Sequence, residues 1–317
     1  KAITLVNTNL RIIPTDKPIF EEFTDDSNGF PFDQNQNSTV LANTPIFISH
    51  ITRDKSWVFA ETSFASGWIK TRDIAYAGPK FIKKFTDHST LIAITHDEFP
   101  IRSFSGNYLF NGYIGMIFPL LKQNKTNYHI ITTASTANNY AYTKEAVISK
   151  KHAKKMPLPL NIRNLSMICE KLTNKPYGWG GLYNNRDCSA MIKDLYTPFG
   201  IWLPRNSTSQ AKKGGLFVDI SNIQGDIKEE FILNNAIPYL TLLWFPGHIM
   251  LYIGEKEGSP IVFHNLWGIR TTDEKKRKII GKSVITTLYP GNGIENADET
   301  GNFLERIKAM TLIAPRY

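Results

Sequence analysis

Residues 177–200 read YGWGGLYNNRDCSAMIKDLYTPFG, and this run of the 317-residue chain joins a glycine-rich loop to a helix. The first five residues hold too many glycines for regular structure. Further along, Met191, Leu195 and Phe199 recur every four residues, so one helical face is apolar and is predicted to be buried. The pattern predicts a helix over 187–196, which begins where the loop ends.

Cys188 is predicted to lie in the first turn of this helix. The unpaired backbone N–H groups and the helix dipole favour an anion there, and both lower the pKa of a thiol. A protonated imidazole nearby would lower that pKa further. Because the thiolate is the reactive form of cysteine, Cys188 is a candidate nucleophile.

The second cysteine, Cys169, has a different setting. It belongs to a predicted helix at 161–172, in which Leu165, Ile168, Cys169 and Leu172 follow helical spacing. We therefore interpret it as a buried core thiol, a common role for free cysteine. A disulfide between the two cysteines is the alternative in an exported protein.

Two histidines are brought together by a predicted hairpin. Its strands, at 249–253 and 261–264, flank a turn-forming segment rich in glycine and charged residues. When they pair, His248 at the start of one strand lies about 5 Å from His264 near the end of the other. His264 can then orient the ring of His248 while the second nitrogen of that ring faces Cys188, a Cys–His–His arrangement suited to nucleophilic catalysis.

Structural roles are the alternative for each of these residues. A lone cysteine is often only a small apolar residue, and either histidine taken singly is better explained as structural. One cysteine and two histidines can also bind zinc, although the closely spaced ligand pairs typical of zinc sites are missing. The remaining histidines are interpreted as surface or structural residues: His50, His88, His96, His129 and His152.

The remaining pattern predicts two small β domains ahead of an α+β domain. The predicted domains cover 1–78, 79–150 and 161–317, and the charged, proline-containing segment 151–160 is predicted to be a linker. Strands in the first two domains are short apolar or alternating runs between polar turns. Candidate strands lie at 45–51, 57–62, 67–69, 91–95, 113–121, 128–133 and 240–245.

The net charge of the chain is +9, with +2 in residues 1–150 and +7 in residues 151–317. A basic surface suits nucleic acid, anionic lipid or an anionic cell-wall polymer. The basic residues are scattered and no nucleic-acid motif accompanies them, so we expect a solvated basic face and no nucleic-acid partner. Since no run of about 18 apolar residues is present, no membrane span is expected.

These segments resemble the NlpC/P60 family of papain-like cell-wall peptidases. The matching motifs, over about 160–270, are YGWGG at 177–181, DCS at 187–189, LPRNS at 203–207 with Gln210, PGH at 246–248 and VFH at 262–264. The N-terminal half resembles bacterial SH3 (SH3b) modules, through short motifs at 9–11, 14–16, 31–33, 56–58 and 66–69. The resemblance implies a papain-like catalytic domain of the α+β class preceded by two small β-barrel, SH3b-like domains.

The resemblance also implies hydrolysis of the bond between γ-D-glutamate and the following diamino acid in peptidoglycan stem peptides. Carried over by position, Cys188 is the nucleophile, His248 the general base and then acid, and His264 the orienting residue. Asp187 and Ser189 match residues that bind the free amine of an N-terminal L-Ala, and a carboxylate and a hydroxyl can accept its N–H donors. The structural alternative for Asp187 is that it caps the helix. Other positions matching the substrate cleft are Tyr177, Trp179, Asn206 and Ser207.

An aromatic residue of the first SH3b module is implied to close the substrate pocket, with Trp57 and Phe64 as candidates. The oxyanion hole is expected to use the backbone N–H of Cys188, with the hydroxyl of Tyr177 as the candidate second donor. No cofactor or metal is implied.

Three functions fit these features. The first is an exported γ-D-glutamyl-diamino acid endopeptidase that acts on muropeptides in the periplasm or cell envelope. The second is a non-catalytic cell-wall-binding protein that uses its SH3 modules, and the third is an amidase or acyltransferase acting on another γ-linked amide. The sequence begins at Lys1 without a signal-peptide core, so we expect an export signal that has been removed or lies outside this sequence.

Overall fold

The structure, a computed structural model, describes residues 1–22, 29–272, 277–298 and 302–313. Backbone contacts divide the chain into two units, each assembled from separate stretches of sequence. The first unit comprises Lys1–Pro18, Gln34–Asn164 and Asp194–Ile201. The second comprises Ile19–Asp33, Leu165–Lys193 and Trp202–Tyr317.

The first unit begins with a sheet of seven short strands. Alternating apolar residues such as Val58, Ala60 and Ile69 point into its core and are fully buried. The predicted strands at 45–51, 57–62 and 67–69 are confirmed to within one residue at each end. The strands are β1 (Ala2–Thr4), β2 (Thr8–Arg11), β3 (Gln36–Val40), β4 (Pro45–Ile51), β5 (Trp57–Glu61), β6 (Ser66–Lys70) and β7 (Ile74–Tyr76), arranged in the order β3-β2-β6-β5-β4-β1-β7.

A second seven-stranded sheet follows a short helix, α1 (Pro79–Thr86). Predicted strands at 91–95 and 128–133 are confirmed, and the strand predicted at 113–121 lies at 117–123. The strands are β8 (Leu91–Ile94), β9 (Phe99–Ser103), β10 (Tyr108–Gly112), β11 (Ile117–Gln123), β12 (Asn127–Ser135), β13 (Ala141–Ser149) and β14 (Ala153–Met156), arranged in the order β10-β9-β13-β12-β11-β8-β14.

Strand β14 corrects the prediction that 151–160 is only a linker. Ala153 is fully buried, whereas Lys154 and Lys155 are exposed, and the strand pairs with β8 at the edge of the sheet. Lysines on an edge strand discourage pairing with other chains. The charge that suggested a linker is therefore the usual protection of a sheet edge.

The second unit holds a six-stranded antiparallel sheet and most of the helices. Strand β16 is buried at every position and lies near the centre of the sheet. The helices are α2 (Ile162–Leu172), α3 (Cys188–Tyr196), α4 (Ser207–Lys213), α5 (Gly225–Asn235) and α6 (Phe303–Arg306). The first residues of α2 and the last three of α3 fall in the other unit. The strands are β15 (Leu216–Asp219), β16 (Thr241–Phe245), β17 (His248–Lys256), β18 (Ser259–Arg270), β19 (Arg277–Thr287) and β20 (Ala309–Leu312), in the order β15-β20-β16-β17-β18-β19.

The two helices predicted at 161–172 and 187–196 are confirmed. On α3, Met191 and Leu195 are buried as the spacing predicted. On α2, Cys169 is buried beside Leu165, Ile168 and Leu172, in agreement with its interpretation as a core thiol. Both cysteines are free, so no disulfide joins them. Among the helices that the structure describes, none is long and apolar enough to cross a membrane.

The predicted hairpin is formed by β17 and β18, and its turn is tighter than expected. Lys256 pairs with Ser259, so the turn contains only Glu257 and Gly258, both with positive φ (53° and 78°). Two such residues suit a tight turn between strongly twisted antiparallel strands. Leu251 pairs with Phe263, which brings the first residues of β17 alongside the middle of β18.

Candidate active site

Cys188 is the first residue of α3, as predicted. The preceding residue, Asp187, caps the helix, because its Oδ1 accepts the backbone N–H of Ala190 at 2.8 Å. Cys188 is buried, with 8% of the residue exposed, and the backbone N–H groups of Ser189 and Ile249 act on its sulfur as hydrogen-bond donors. Since Ile249 directly follows His248, the start of β17 lies beside the thiol.

The glycine-rich loop folds tightly against the start of α3. Gly180 and Gly181 adopt positive φ (57° and 86°), and the N–H of Gly180 donates to Asp187 Oδ2 at 3.1 Å. A Cβ at Gly178 would lie 2.5 Å from the carbonyl oxygen of Leu182. The glycines are therefore needed for the fold of the loop that delivers Asp187 and Cys188.

His248 and His264 are joined directly. Nε2 of His248 lies 2.8 Å from Nδ1 of His264, and both residues are buried. Continuing the pairing of Leu251 with Phe263 sets His264 opposite Met250, so the histidines are diagonal neighbours on one face of the sheet. The two rings meet as the hairpin predicts, although not as directly opposed partners.

A threonine on β19 extends this hydrogen-bond chain and decides its direction. Thr286 Oγ1 lies 3.0 Å from Nε2 of His264 and donates its own proton to the carbonyl of Thr287 at 2.8 Å. Thr286 can therefore only accept from His264, so the proton of His264 is on Nε2 and its Nδ1 accepts from His248. His248 then carries its proton on Nε2, which leaves its Nδ1 as a free proton acceptor.

No hydrogen bond joins the Cys188 thiol to the ring of His248, two residues that the structure describes in full. Contacts of this kind are often longer in the unliganded protein than in the substrate complex. Within the described ranges, no group of three or more His, Cys, Asp and Glu side chains is arranged to hold a metal ion.

Asp187 is buried and forms an ion pair with Arg205. The two Nη atoms of Arg205 donate to the two carboxylate oxygens, at 3.0 and 2.7 Å. Ser189 Oγ also donates to Asp187 Oδ1, at 3.0 Å, and accepts from Arg205 at the same distance. Burial alone would raise the pKa of Asp187, but Arg205 and the hydrogen bonds hold it below its usual value. Asp187, Ser189 and Arg205 are therefore all hydrogen-bonded to one another, in the residues that flank Cys188 and in the motif that follows α3.

The other predicted cleft residues have separate positions. Asn206 is exposed and caps α4, since its Oδ1 accepts the N–H of Ser209 at 2.8 Å, and Ser207 is the partly exposed first residue of that helix. Tyr177 is partly exposed, and its hydroxyl is near enough to Cys188 and Asp187 for both to raise its pKa in addition to burial. The phenol therefore stays protonated near neutral pH.

Aromatic side chains from the segment Ile19–Asp33 pack beside the site. The ring of Phe32 lies 5.1 Å from that of Trp179, and the indole N–H of Trp179 donates to the carbonyl of Asp33 at 3.2 Å. Phe30 and Phe32 also contact Trp267 edge-on, at 6.1 and 6.3 Å, and Trp267 lies 5.7 Å from Tyr177. We call Phe30, Phe32, Trp179 and Trp267 the aromatic wall.

Three family models match the chain. An SH3 domain of the SH3b1 type matches residues 18–70, an SH3 domain of the SH3b2 type matches 80–125, and the NlpC/P60 family matches 174–266. The last match spans the glycine-rich loop, Cys188 and both buried histidines. The chain carries two SH3b domains followed in sequence by an NlpC/P60 domain.

Solved structures of NlpC/P60 proteins share this fold. An NlpC/P60 endopeptidase from Photobacterium damselae subsp. piscicida is 25% identical, with a TM-score of 0.83 over 98% of this chain and 72% of that chain. An NlpC/P60 family protein from Bacillus cereus ATCC 10987 is 15% identical, with a TM-score of 0.67 over 99% of both chains, and shows the fold alone. No curated protein sequence matches the chain.

The NlpC/P60 domain defines the class of the enzyme. Domains of this family belong to cysteine peptidases that act on peptidoglycan, so the chain is a peptidoglycan hydrolase of that class. The predicted family, fold class and enzyme class are confirmed. Cell-wall hydrolase and SH3b domains together are typical of extracytoplasmic bacterial proteins.

The electrostatics of the NlpC/P60 site differ from one expectation. The helix start was predicted to lower the pKa of the Cys188 thiol, but burial, with the negative charge of Asp187, raises it to about 12. Burial and the charge of Arg306 lower the pKa of His248 to about 3. Desolvation outweighs the helix dipole here, and the unliganded protein holds a neutral thiol and a neutral imidazole.

Alkylation of Cys188 by iodoacetamide is therefore expected to be slow at neutral pH. The thiol pKa of about 12 is three units above its ordinary value, so the thiolate fraction at pH 7 is roughly a thousandfold below that of a free cysteine. The rate should rise about tenfold per pH unit up to pH 10. Mass spectrometry of the labelled protein measures it, and Cys188→Ala protein reports any labelling of Cys169. A rate that is already constant below pH 7 would show a preformed thiolate–imidazolium pair.

Sequence reasoning missed three features of the NlpC/P60 site. Thr286 has no sequence signal, because its role depends on the pairing of β18 with β19. The Asp187–Arg205 ion pair could have been predicted from the sequence, since both residues belong to the quoted motifs. The third feature is the pair Phe30 and Phe32, which share a unit with Cys188. The role suggested for Trp57 and Phe64, which belong to the other unit, stays a prediction.

Proposed function

We propose that the chain hydrolyses the bond between γ-D-glutamate and the following diamino acid in peptidoglycan stem peptides. Cys188 is the nucleophile, His248 the general base and then acid, and His264 the residue that orients it. The observation that carries the proposal is the hydrogen-bond chain from His248 to Thr286, which leaves Nδ1 of His248 as a proton acceptor at the start of β17, next to the thiol.

Proton transfer starts when substrate is bound. Nδ1 of His248 takes the thiol proton as sulfur forms a bond to the γ-carbonyl carbon of D-glutamate. The resulting imidazolium passes that proton to the departing amine of the diamino acid, and the C–N bond breaks. Water then attacks the thioester with His248 again as base, which releases the glutamyl acid and restores the thiol.

The negative charge of the tetrahedral intermediate requires two hydrogen-bond donors. The backbone N–H of Cys188 at the start of α3 is one, and the Tyr177 hydroxyl is the second. Because the pKa of Tyr177 is raised by burial and by Cys188 and Asp187, its hydroxyl keeps the proton that it must donate.

The amino end of the substrate is proposed to lie near Asp187 and Ser189. The Asp187 carboxylate already accepts five hydrogen bonds, from Arg205, Ser189 and two backbone N–H groups. An incoming ammonium group would therefore share a carboxylate oxygen with Arg205. The aromatic wall and Tyr177 enclose this side of the cleft, and Asn206 and Ser207 contribute polar groups. A cell-envelope or periplasmic location follows from the substrate.

The test is to identify the bond that is cut. Purified protein is incubated with L-Ala-γ-D-Glu-diamino acid tripeptide and with its N-acetylated form, and the products are analysed by mass spectrometry. We expect release of L-Ala-γ-D-Glu and the free diamino acid from the first peptide, and little cleavage of the second. Binding to sacculi without any product would favour a wall-binding protein, and loss of a different amide would favour an amidase or acyltransferase.

Replacing Asp187 with asparagine separates substrate binding from structure. The introduced amide oxygen can still cap α3, so the loss should fall mainly on the tripeptide with a free amine and much less on the acetylated one. We expect kcat/KM for the free peptide to decrease about tenfold to a hundredfold, the value of a hydrogen bond to a charged group. An equal decrease of kcat/KM on both peptides would show that Asp187 only caps α3 and does not bind the amine of the substrate.

A further inference from the structure

A phenylalanine ring packs on both buried histidines. The ring centre of Phe303 lies 5.6 Å from that of His248 and 5.6 Å from that of His264, and the His264 ring meets it edge-on. Phe303 is 4% exposed, so it keeps water away from this side of the two imidazoles. One side chain therefore contacts the general base and its orienting residue at the same time.

The hydrogen bond between the two histidines does not by itself fix the ring of His248. It joins two neutral imidazoles, so it lacks the added strength of a bond to a charged group. A single bond at Nε2 also lets the ring tilt about that contact, and tilting moves Nδ1, the proton acceptor. Packing against a rigid aromatic ring restricts this motion. The orientation of Nδ1 therefore depends on where Phe303 is held.

Phe303 is the first residue of α6, a helix of only four residues. A helix this short satisfies few of its own backbone groups, so its position depends on contacts from outside. The N–H of Phe303 donates to the carbonyl of Leu288 at 2.8 Å. Asn302 caps the helix, because its Oδ1 accepts the N–H of Glu305 at 2.9 Å. The carbonyl groups at the other end of α6 need a donor from elsewhere.

That donor is the ammonium group of Lys228 on α5. It donates to the carbonyl oxygens of Leu304, Glu305 and Ile307 at 3.2, 3.3 and 3.2 Å. An ammonium group has three N–H donors, so these three acceptors satisfy it. Lys228 is 1% exposed, a rare position for a lysine. An apolar residue would avoid the cost of burying a charge, so the lysine is explained by the need to hold α6 in place.

We propose that Lys228 is a positioning residue of the peptidase, which holds α6 so that Phe303 keeps the ring of His248 in its reactive orientation. The proposal rests on the Cys–His–His mechanism proposed above. Lys228 acts through α6 and Phe303 and not on the substrate. A misplaced Nδ1 slows proton transfer from Cys188, whereas substrate binding depends on other side chains. The effect of Lys228 therefore falls on kcat and not on KM.

The first test is kinetic. Lys228→Met removes the three donors but keeps a side chain of similar length, and Phe303→Leu removes the aromatic ring but keeps an apolar residue. Each should lower kcat on the L-Ala-γ-D-Glu-diamino acid tripeptide about tenfold to a hundredfold with little change in KM, the effect of displacing a catalytic group by about 1 Å. Wild-type kcat in either variant, or an increase of KM alone, would overturn the proposal. If Lys228→Met protein does not fold, Phe303→Leu decides.

Two matched variants separate positioning from a general loss of stability. Lys308→Met makes the same change at an exposed lysine just beyond the end of α6. Phe118→Leu makes the same change at a fully buried ring in the core of the second sheet. Both should keep the wild-type kcat, although Phe118→Leu should lower the Tm. An equal decrease of kcat in these controls would show that lost stability slows the enzyme, and would overturn the positioning role.

A measurement without substrate is independent of the bond that is cut. Protein with isotope-labelled histidine should show the ring N–H protons of His248 and His264 by NMR, assigned by their absence in His248→Gln and His264→Gln proteins. Their exchange with water should be at least about tenfold faster in Lys228→Met and Phe303→Leu, and unchanged in Lys308→Met. If wild-type protein cut no tripeptide, the proposed bond specificity would fail, and these rates would still decide the role of Lys228. Equal exchange rates in all four proteins would overturn it.

Discussion

Replacing Cys188 with alanine is expected to lower the rate of tripeptide cleavage by at least about 10⁴-fold, because removal of a catalytic nucleophile leaves only binding and oxyanion stabilisation. The fold should be preserved, since the cap at Asp187 and the buried face of α3 remain. Mass spectrometry of the released diamino acid, followed over hours, measures the residual rate. Substrate binding should be retained, so the variant is suited to calorimetry with uncut peptide.

The same substitution at the other cysteine is the matched control. Cys169 is buried on α2 beside Leu165 and Leu172, and burial raises its thiol pKa to about 12. Cys169→Ala should lower stability through lost packing but keep kcat. If Cys188→Ala protein released the same products at the wild-type rate, Cys188 would not be the nucleophile.

Replacing Arg205 with methionine is expected to lower the free energy of unfolding by about 3–5 kcal/mol, the effect of leaving a buried charge unpaired. Arg205 supplies two of the donors to the Asp187 carboxylate and also bonds Ser189. Without it, a carboxylate with fewer donors remains buried at the start of α3. Urea unfolding followed by tryptophan fluorescence measures the change.

The double variant Asp187→Asn/Arg205→Met tests whether this loss comes from the unpaired charge. Asparagine is neutral and can still accept the N–H of Ala190, so the double variant should regain most of the stability lost in Arg205→Met. Together with the Asp187→Asn single variant, these two proteins complete a double-mutant cycle that gives the coupling energy of the pair. If Arg205→Met lowered the free energy of unfolding by less than about 1 kcal/mol, the level of an exposed ion pair, the ion pair between Asp187 and Arg205 would be accessible to water.

Local patterns predicted most of the fold and the central residues of the site. The spacing of Met191 and Leu195 and the glycines before Asp187 predicted the helix start at Cys188. Two apolar runs around a turn predicted the hairpin that joins His248 and His264. These features could be read from sequence because each depends on residues close together in the chain.

Features that depend on burial or on distant pairing could not be predicted in this way. The thiol pKa of Cys188 rises because the surrounding protein removes water, and a helix start alone indicates the opposite direction. Thr286 contacts His264 only because Val262 and Thr286 are partners in the β18–β19 pairing. The lysines of β14 resembled a linker because the buried Ala153 is a weak apolar signal.

The position of Thr286 on β19 has a consequence for how the enzyme is inactivated. β19 is the last strand of its sheet; backbone hydrogen bonds with residues 174–177 cover it at Gly281 and Ser283, whereas Thr286 lies beyond this stretch. A strand end that is covered on one side only detaches at a lower free-energy cost than a central strand. When β19 frays, His264 loses the acceptor that selects its tautomer, and His248 loses its fixed orientation while the central strands stay paired. Heating should therefore abolish activity before the core of the domain unfolds, because the hydrogen bond between His264 and Thr286 is lost as soon as the end of β19 detaches.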